Sequence, residues 1–142
     1  GWAAVNTEIT FLPISMFLII FFWTPPHFWA LSVYRYDDYK IAKVPMLPNV
    51  KSIKDTKKQI VIYSIILIIS SYLPCFDNSV GSIYIIMASI LNYFLFTNAI
   101  KLANSNEQKS KPNKEGLKFF ALTIFYLFSL FSALLIDHLI SL

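Results

Sequence analysis

Cysteine is almost missing from this chain, and the single one, Cys75, excludes an intramolecular disulfide and any metal cluster built from thiols. Its place beside Pro74, at the end of an apolar run, reads as a small apolar filler. Glycine is also scarce: three in 142 residues leave no Gly-rich loop to cradle phosphates and no nucleotide-binding signature. Only 14% of residues are charged against 56% hydrophobic, with Phe and Ile abundant. That balance excludes an ordinary soluble domain and points to a membrane protein. No internal repeat is present.

What fills the chain instead is four long apolar runs, Ile9 to Val33, Gln59 to Phe76, Val80 to Leu102 and Leu117 to Ile140. A bilayer core takes about 20 apolar residues as a helix, so each run is long enough to cross. The expected fold class is therefore all-α, a polytopic membrane bundle of four transmembrane helices. The first run has neither the basic head nor the small-residue cleavage site of a signal peptide and reads as a retained helix. The chain opens at Gly1, without an initiator methionine and with almost no polar leader, which suggests a fragment of a longer protein.

Basic residues are confined to two loops and their flanks. Residues 34–58 hold Arg35, Lys40, Lys43, Lys51, Lys54, Lys57 and Lys58; around residues 103–116 lie Lys101, Lys109, Lys111, Lys114 and Lys118, completing all twelve. The N-terminal residues, the turn Asp77-Asn78-Ser79 and the C-terminus have none. The positive-inside rule then puts both loops in the cytoplasm, or in the matrix of a mitochondrion, and both termini on the opposite side. An even number of spans agrees. The net charge of +4 is explained by topology and by attraction to anionic lipid headgroups, so membrane lipids are the expected partner and no nucleic acid is required. The second loop, NSNEQKSKPNKEG, reads as a solvated linker.

The segment from Trp23 to Pro48, WTPPHFWALSVYRYDDYKIAKVPMLP, carries the candidates for chemistry. Pro25 and Pro26 lack amide hydrogens, so the carbonyls of Phe21 and Phe22 lose their helical partners and a kink is expected. His27 follows at once. Ionisable groups at membrane depth are costly and usually mark a cavity or pathway. Were the helix to continue past the kink, positions 34 and 38 would each fall within about 20° of position 27, placing His27, Tyr34 and Asp38 on one stripe with His27 roughly 10 Å below Tyr34. Either His27 meets a ligand there or it donates to a freed carbonyl and pins the kink.

Asp37 and Asp38 lie among Arg35, Lys40 and Lys43 at the expected membrane edge. Mg²⁺ is commonly held by one or two carboxylates together with substrate phosphates. Basic neighbours would neutralise the remaining phosphate charge, and Arg35, the only arginine, offers a bidentate fork. Adjacent acids in a charged loop are also simply solvated residues, and the pair alone does not choose. Phe21, Phe22, Trp23, Phe28 and Trp29 pack against lipid and neighbouring helices or shield a carbocation from water. Asn92 suits an interhelical hydrogen bond. Asp137 and His138 lie at the opposite end and receive no catalytic role.

The runs WTPPHFWAL, YRYDDY and VPMLP, with the opening GWAAV and the closing YLFSLFSALLID, resemble the haem O synthases, or protohaem IX farnesyltransferases, of the UbiA prenyltransferase superfamily. The likeness covers essentially the whole chain. It implies an α-helical membrane enzyme, usually of nine spans, that moves a farnesyl group from farnesyl diphosphate to the 2-vinyl group of protohaem (haem B), giving haem O. This chain would be the last four spans, and an N-terminal half of the same protein would be its partner. By the same resemblance Asp37 and Asp38 correspond to the second acidic motif and act with Mg²⁺ on the diphosphate. Arg35, Lys40, Lys43 and Tyr34 would bind substrate and His27 would bind haem. Haem A synthase or oxidase assembly proteins are implied partners, and a bacterial inner membrane, or a mitochondrial one, the implied location.

Two departures stand out. The spaced D-x-x-x-D form of the superfamily appears here as adjacent acids, and the first acidic motif, of N-x-x-x-D type, is absent from the chain. A UbiA prenyltransferase acting on a quinone precursor or chlorin, and a non-enzymatic scaffold or transporter portion, remain open alternatives.

Overall fold

The computed structural model describes residues 10–45, 48, 51–106 and 112–141. The GWAAV opening, Ile9, Met46, Leu47, Lys109 and Lys111 lie outside them. Among the described residues the secondary structure is wholly helical: α1 (Phe11–Tyr34), α2 (Tyr36–Ile41), α3 (Ile53–Ser71), a 3-10 turn (Leu73–Phe76), α4 (Ser82–Ala103) and α5 (Lys114–Ser141). Among the described residues four segments, Phe11–Tyr34, Ile53–Phe76, Ser82–Ala103 and Lys114–Ile140, are long and apolar enough to cross a membrane.

The four long helices form a ring in which α1 packs on α3, α3 on α4, α4 on α5 and α5 back on α1. On α4 the buried apolar positions are Tyr84, Ala88, Leu91, Leu95, Ala99 and Leu102, a stripe at steps of three or four. The outward positions Ile85, Ile86, Tyr93, Phe94 and Phe96 are as apolar as the inward ones and are exposed. A helix apolar all round belongs in lipid or inside a larger assembly.

Polar side chains inside the ring are paired. Asn92 of α4 donates from Nδ2 to Ser71 Oγ (2.8 Å) and accepts at Oδ1 from the Tyr126 hydroxyl (2.8 Å), while the Tyr84 hydroxyl donates to the Ser71 carbonyl (2.7 Å). The group ties α3, α4 and α5 together, the interhelical role expected of Asn92. Away from water such groups must find protein partners.

Helix ends depart from the apolar runs because polar caps extend them. Ser52 accepts from the Asp55 amide (3.1 Å), so α3 begins at Ile53 rather than Gln59. Asn113 Oδ1 accepts from the amides of Glu115 (3.1 Å) and Gly116 (3.2 Å), so α5 begins at Lys114 rather than Leu117. Apolar content locates a span but not these capped polar turns. α1 runs continuously through Pro25 and Pro26. At Gly116 an added Cβ would lie 3.1 Å from the Ala30 carbonyl oxygen and 3.2 Å from the Tyr34 amide nitrogen, so glycine lets α5 approach α1 closely beneath the acidic loop.

Candidate active site

The chain breaks at Arg35, whose φ of −103° and ψ of 34° end α1 and start the six-residue α2. The stripe expected to run from His27 through Tyr34 to Asp38 is therefore interrupted, and Asp38 belongs to a separate helix. Asp37 and Asp38 occupy the first turn of α2, where the helix dipole favours carboxylates.

Lys43 closes α2. Its φ is +54°, its amide donates to the Lys40 carbonyl (3.2 Å), and the Val44 amide donates to the Tyr39 carbonyl (3.0 Å). That pair of bonds around a left-handed residue is the Schellman arrangement, usually built on glycine.

At this end of the bundle a cleft of about 1010 Å³ is lined by Tyr34, Arg35, Asp37, Asp38 and Lys40, and across from them by Ser52, Ser105, Asn113, Lys114 and Glu115. Both acids are exposed. Asp38 meets Arg35 at 3.5 Å with both side chains more than half exposed, a contact worth about 0–1 kcal/mol that leaves the carboxylate available. Arg35 also lies over the Tyr34 ring (5.9 Å to the centroid) and Lys40 over that of Tyr36 (5.8 Å). No group of three or more His, Cys, Asp or Glu side chains converges to hold a metal among the described residues. One or two carboxylates suit Mg²⁺ shared with substrate phosphates and do not make a protein-only cage.

Of the residues singled out from sequence, Tyr34, Arg35, Asp37, Asp38 and Lys40 share this cleft; Lys43 and His27 are not among its lining residues. Lys43 serves the turn just described. His27 is buried lower in α1, where its imidazole is stacked between the rings of Trp23 (4.2 Å, 19°) and Phe120 (4.5 Å, 21°). Its Nδ1 lies 2.7 Å from Thr123 Oγ1 of α5, and Trp23 Nε1 donates to the Thr123 carbonyl (2.8 Å). The partner of His27 is thus a hydroxyl on a neighbouring helix, not a carbonyl freed by the prolines.

Sequence reasoning missed Thr123, since one threonine in an apolar run looks like any hydroxyl bonded to its own helix. It missed Asn113, Lys114 and Glu115 because the second loop reads as a linker. Lys57, counted among the loop lysines, is buried and donates to the Ser105 carbonyl (2.9 Å) past the end of α4.

A model of the UbiA prenyltransferase family matches residues 1–130. The protoheme IX farnesyltransferase of Rickettsia massiliae (strain Mtu5) is 48% identical over 142 residues, covering 99% of this chain and 45% of that protein. Proteins of the same name from Rickettsia bellii (strain OSU 85-389) and Rickettsia felis (strain ATCC VR-1525 / URRWXCal2) are 43% identical over 137 residues and 48% over 132, covering 96% and 92% of this chain and 44% and 42% of theirs. The chain spans less than half the length of these curated relatives. No solved structure matches it.

Proposed function

Because the chain belongs to the UbiA prenyltransferase family and is an integral membrane protein, we propose that it forms part of an enzyme transferring the farnesyl group of farnesyl diphosphate to the 2-vinyl group of protohaem, giving haem O. The remainder of the relatives' length supplies the rest of the bundle and the other acidic motif. The observation that carries this reading is the cleft uniting Asp37 and Asp38 with Arg35 and Lys40 at the end of the bundle where the basic loops gather. A diphosphate needs both signs of charge nearby, acids for its divalent counterion and cations for its remaining oxygens.

In transfer the allylic C–O bond breaks, its electron pair leaves with the diphosphate, and the farnesyl carbon bonds to the outer vinyl carbon of haem, leaving positive charge on the inner one; water adds there and loses a proton, giving the hydroxyethyl group. Mg²⁺, when bound, offsets charge on the leaving oxygens. Asp37 and Asp38 are the residues that would hold that ion at the diphosphate end of the cleft. Arg35 and Lys40 stabilise the charge that grows on the leaving group, and Tyr34 lines the wall where α1 ends. His27, roughly 10 Å deeper along α1 by helical rise, takes the porphyrin. The loops at residues 34–58 and 103–116 face the cytoplasm of a bacterial inner membrane, in keeping with their concentration of Lys and Arg.

The test joins this chain to the remainder of the Rickettsia massiliae relative and assays products by chromatography with haem B and with aromatic acceptors. Haem O formation that depends on Mg²⁺ is expected. Prenylation of a quinone precursor or chlorin in place of haem would redirect the acceptor, and no Mg²⁺-dependent use of farnesyl diphosphate would defeat the reading.

A further inference from the structure

Thr123 sits between the Phe120 carbonyl and the His27 imidazole, and that place decides the state of the imidazole. Its hydroxyl has one hydrogen, and Oγ1 lies 2.6 Å from the Phe120 carbonyl, which can only accept. The same oxygen lies 2.7 Å from His27 Nδ1. With its hydrogen committed to the carbonyl, Oγ1 accepts, so Nδ1 must carry the proton. A neutral imidazole protonated at Nδ1 keeps its lone pair on Nε2. Trp23 and Phe120 stack on the ring and Phe28 packs against it at 72° (5.2 Å), so a ligand can reach it only at the part of its edge that these three leave. Among the described residues none hydrogen-bonds to Nε2.

We propose that Thr123 is a positioning residue that locks His27 in the Nδ1–H form and so presents Nε2 as an electron-pair donor to the iron of protohaem. The inference rests on the reading of His27 as the porphyrin-binding residue. Metal-ligating histidines characteristically donate their other ring N–H to a fixed acceptor, which sets both tautomer and ring orientation. Here the acceptor is a hydroxyl directed by its own bond to the Phe120 carbonyl, on a residue whose backbone carbonyl accepts from the Trp23 indole (2.8 Å). The same contacts tie α1 to α5, so the helix that carries the acidic cleft at its end also carries the oriented imidazole.

The test uses the 142-residue chain in lipid nanodiscs with ¹⁵N-labelled histidine, the His27 signals being identified by their loss in His27→Gln. The expected pattern is a protonated Nδ1 and an unprotonated Nε2, kept in Thr123→Ser and mixed with the Nε2–H form in Thr123→Val. Ferric protohaem is then titrated and followed in its Soret band. A His27-dependent shift is expected, with affinity about tenfold weaker in Thr123→Val and restored in Thr123→Ser, within the usual cost of removing such an outer partner. Protonation of Nε2 in the unmutated chain, or a valine variant with unchanged tautomer, would overturn the lock. Should Thr123→Val fail to fold, the unmutated chain and Thr123→Ser still decide the tautomer. A Thr123-dependent tautomer without any His27-dependent Soret change would instead overturn iron as the acceptor and the porphyrin role of His27, while upholding the lock.

Discussion

The two ends of the bundle use carboxylates in opposite ways. At the end holding the C-termini of α3 and α5, acids are consumed by the chain's own donors: buried Asp137 accepts from the Gly81 amide at the start of α4, and Asp77 accepts from both the amide (3.0 Å) and the hydroxyl (2.6 Å) of Ser79. At the other end Asp37 and Asp38 stand exposed in a wide cleft, with Arg35 at 3.5 Å from Asp38 as a weak neighbour. A carboxylate whose lone pairs are filled by fixed amides holds the fold, and one left open to a cleft is free to meet a ligand. Similar chemistry separates the lysines, since buried Lys57 caps the end of α4 while exposed Lys40 lines the cleft.

That contrast makes the largest predicted effect one on activity. Asp37→Asn with Asp38→Asn, in the chain joined to the remainder of its relative, should lower haem O formation on the order of 100-fold, as loss of an anion-stabilising group does, and should leave thermal stability within about 0.5 kcal/mol. Equal loss of stability and activity would erase the distinction between the ends. Asp137→Ala should do the reverse, costing about 1–3 kcal/mol of stability by stranding the Gly81 amide, seen as earlier unfolding by circular dichroism in detergent.

Smaller effects sharpen the comparison. Tyr126→Phe, which removes one member of the Asn92 group, should cost about 0.6 kcal/mol and at most about 1.7, in chemical denaturation. Lys43→Gly should leave farnesyl diphosphate affinity unchanged and raise stability by up to about 1 kcal/mol, because glycine adopts φ of +54° without the Cβ penalty; calorimetric titration and thermal melts report both. The least effect belongs to Asp77. Its carboxyl is held below the usual carboxylate range by the Ser79 hydroxyl and amide. A depressed folded value means that this stabilisation is fully present above the unfolded value of about 3.9 and is lost as pH falls through the folded one. Ser79→Ala should therefore narrow the gap slightly between unfolding at pH 6 and at pH 2.

Sequence made some of this legible and hid the rest for definite reasons. Four runs of apolar residues exceed what any soluble core needs, so the span count follows from length and composition. The acids and their cationic neighbours sit within six residues of one another, from Arg35 to Lys40, so the contribution of α2 to the cleft was visible locally. The opposite wall was not, because Asn113, Lys114 and Glu115 reach it only when α5 folds back against α1 at Gly116. The break at Arg35 and the left-handed Lys43 carry no signature, since neither position holds the glycine or proline that would announce a turn. His27 stood out as an ionisable group in an apolar run. Its partner Thr123 did not, because a contact across 96 positions is a property of packing.

The most direct measurement is calorimetric titration of farnesyl diphosphate, with and without Mg²⁺, into the chain joined to the remainder of its Rickettsia massiliae relative. Binding should require Mg²⁺ and weaken on the order of 100-fold when Asp37 and Asp38 are both replaced by asparagine. Binding of equal strength in the double variant would contradict the assignment of the cleft to the diphosphate.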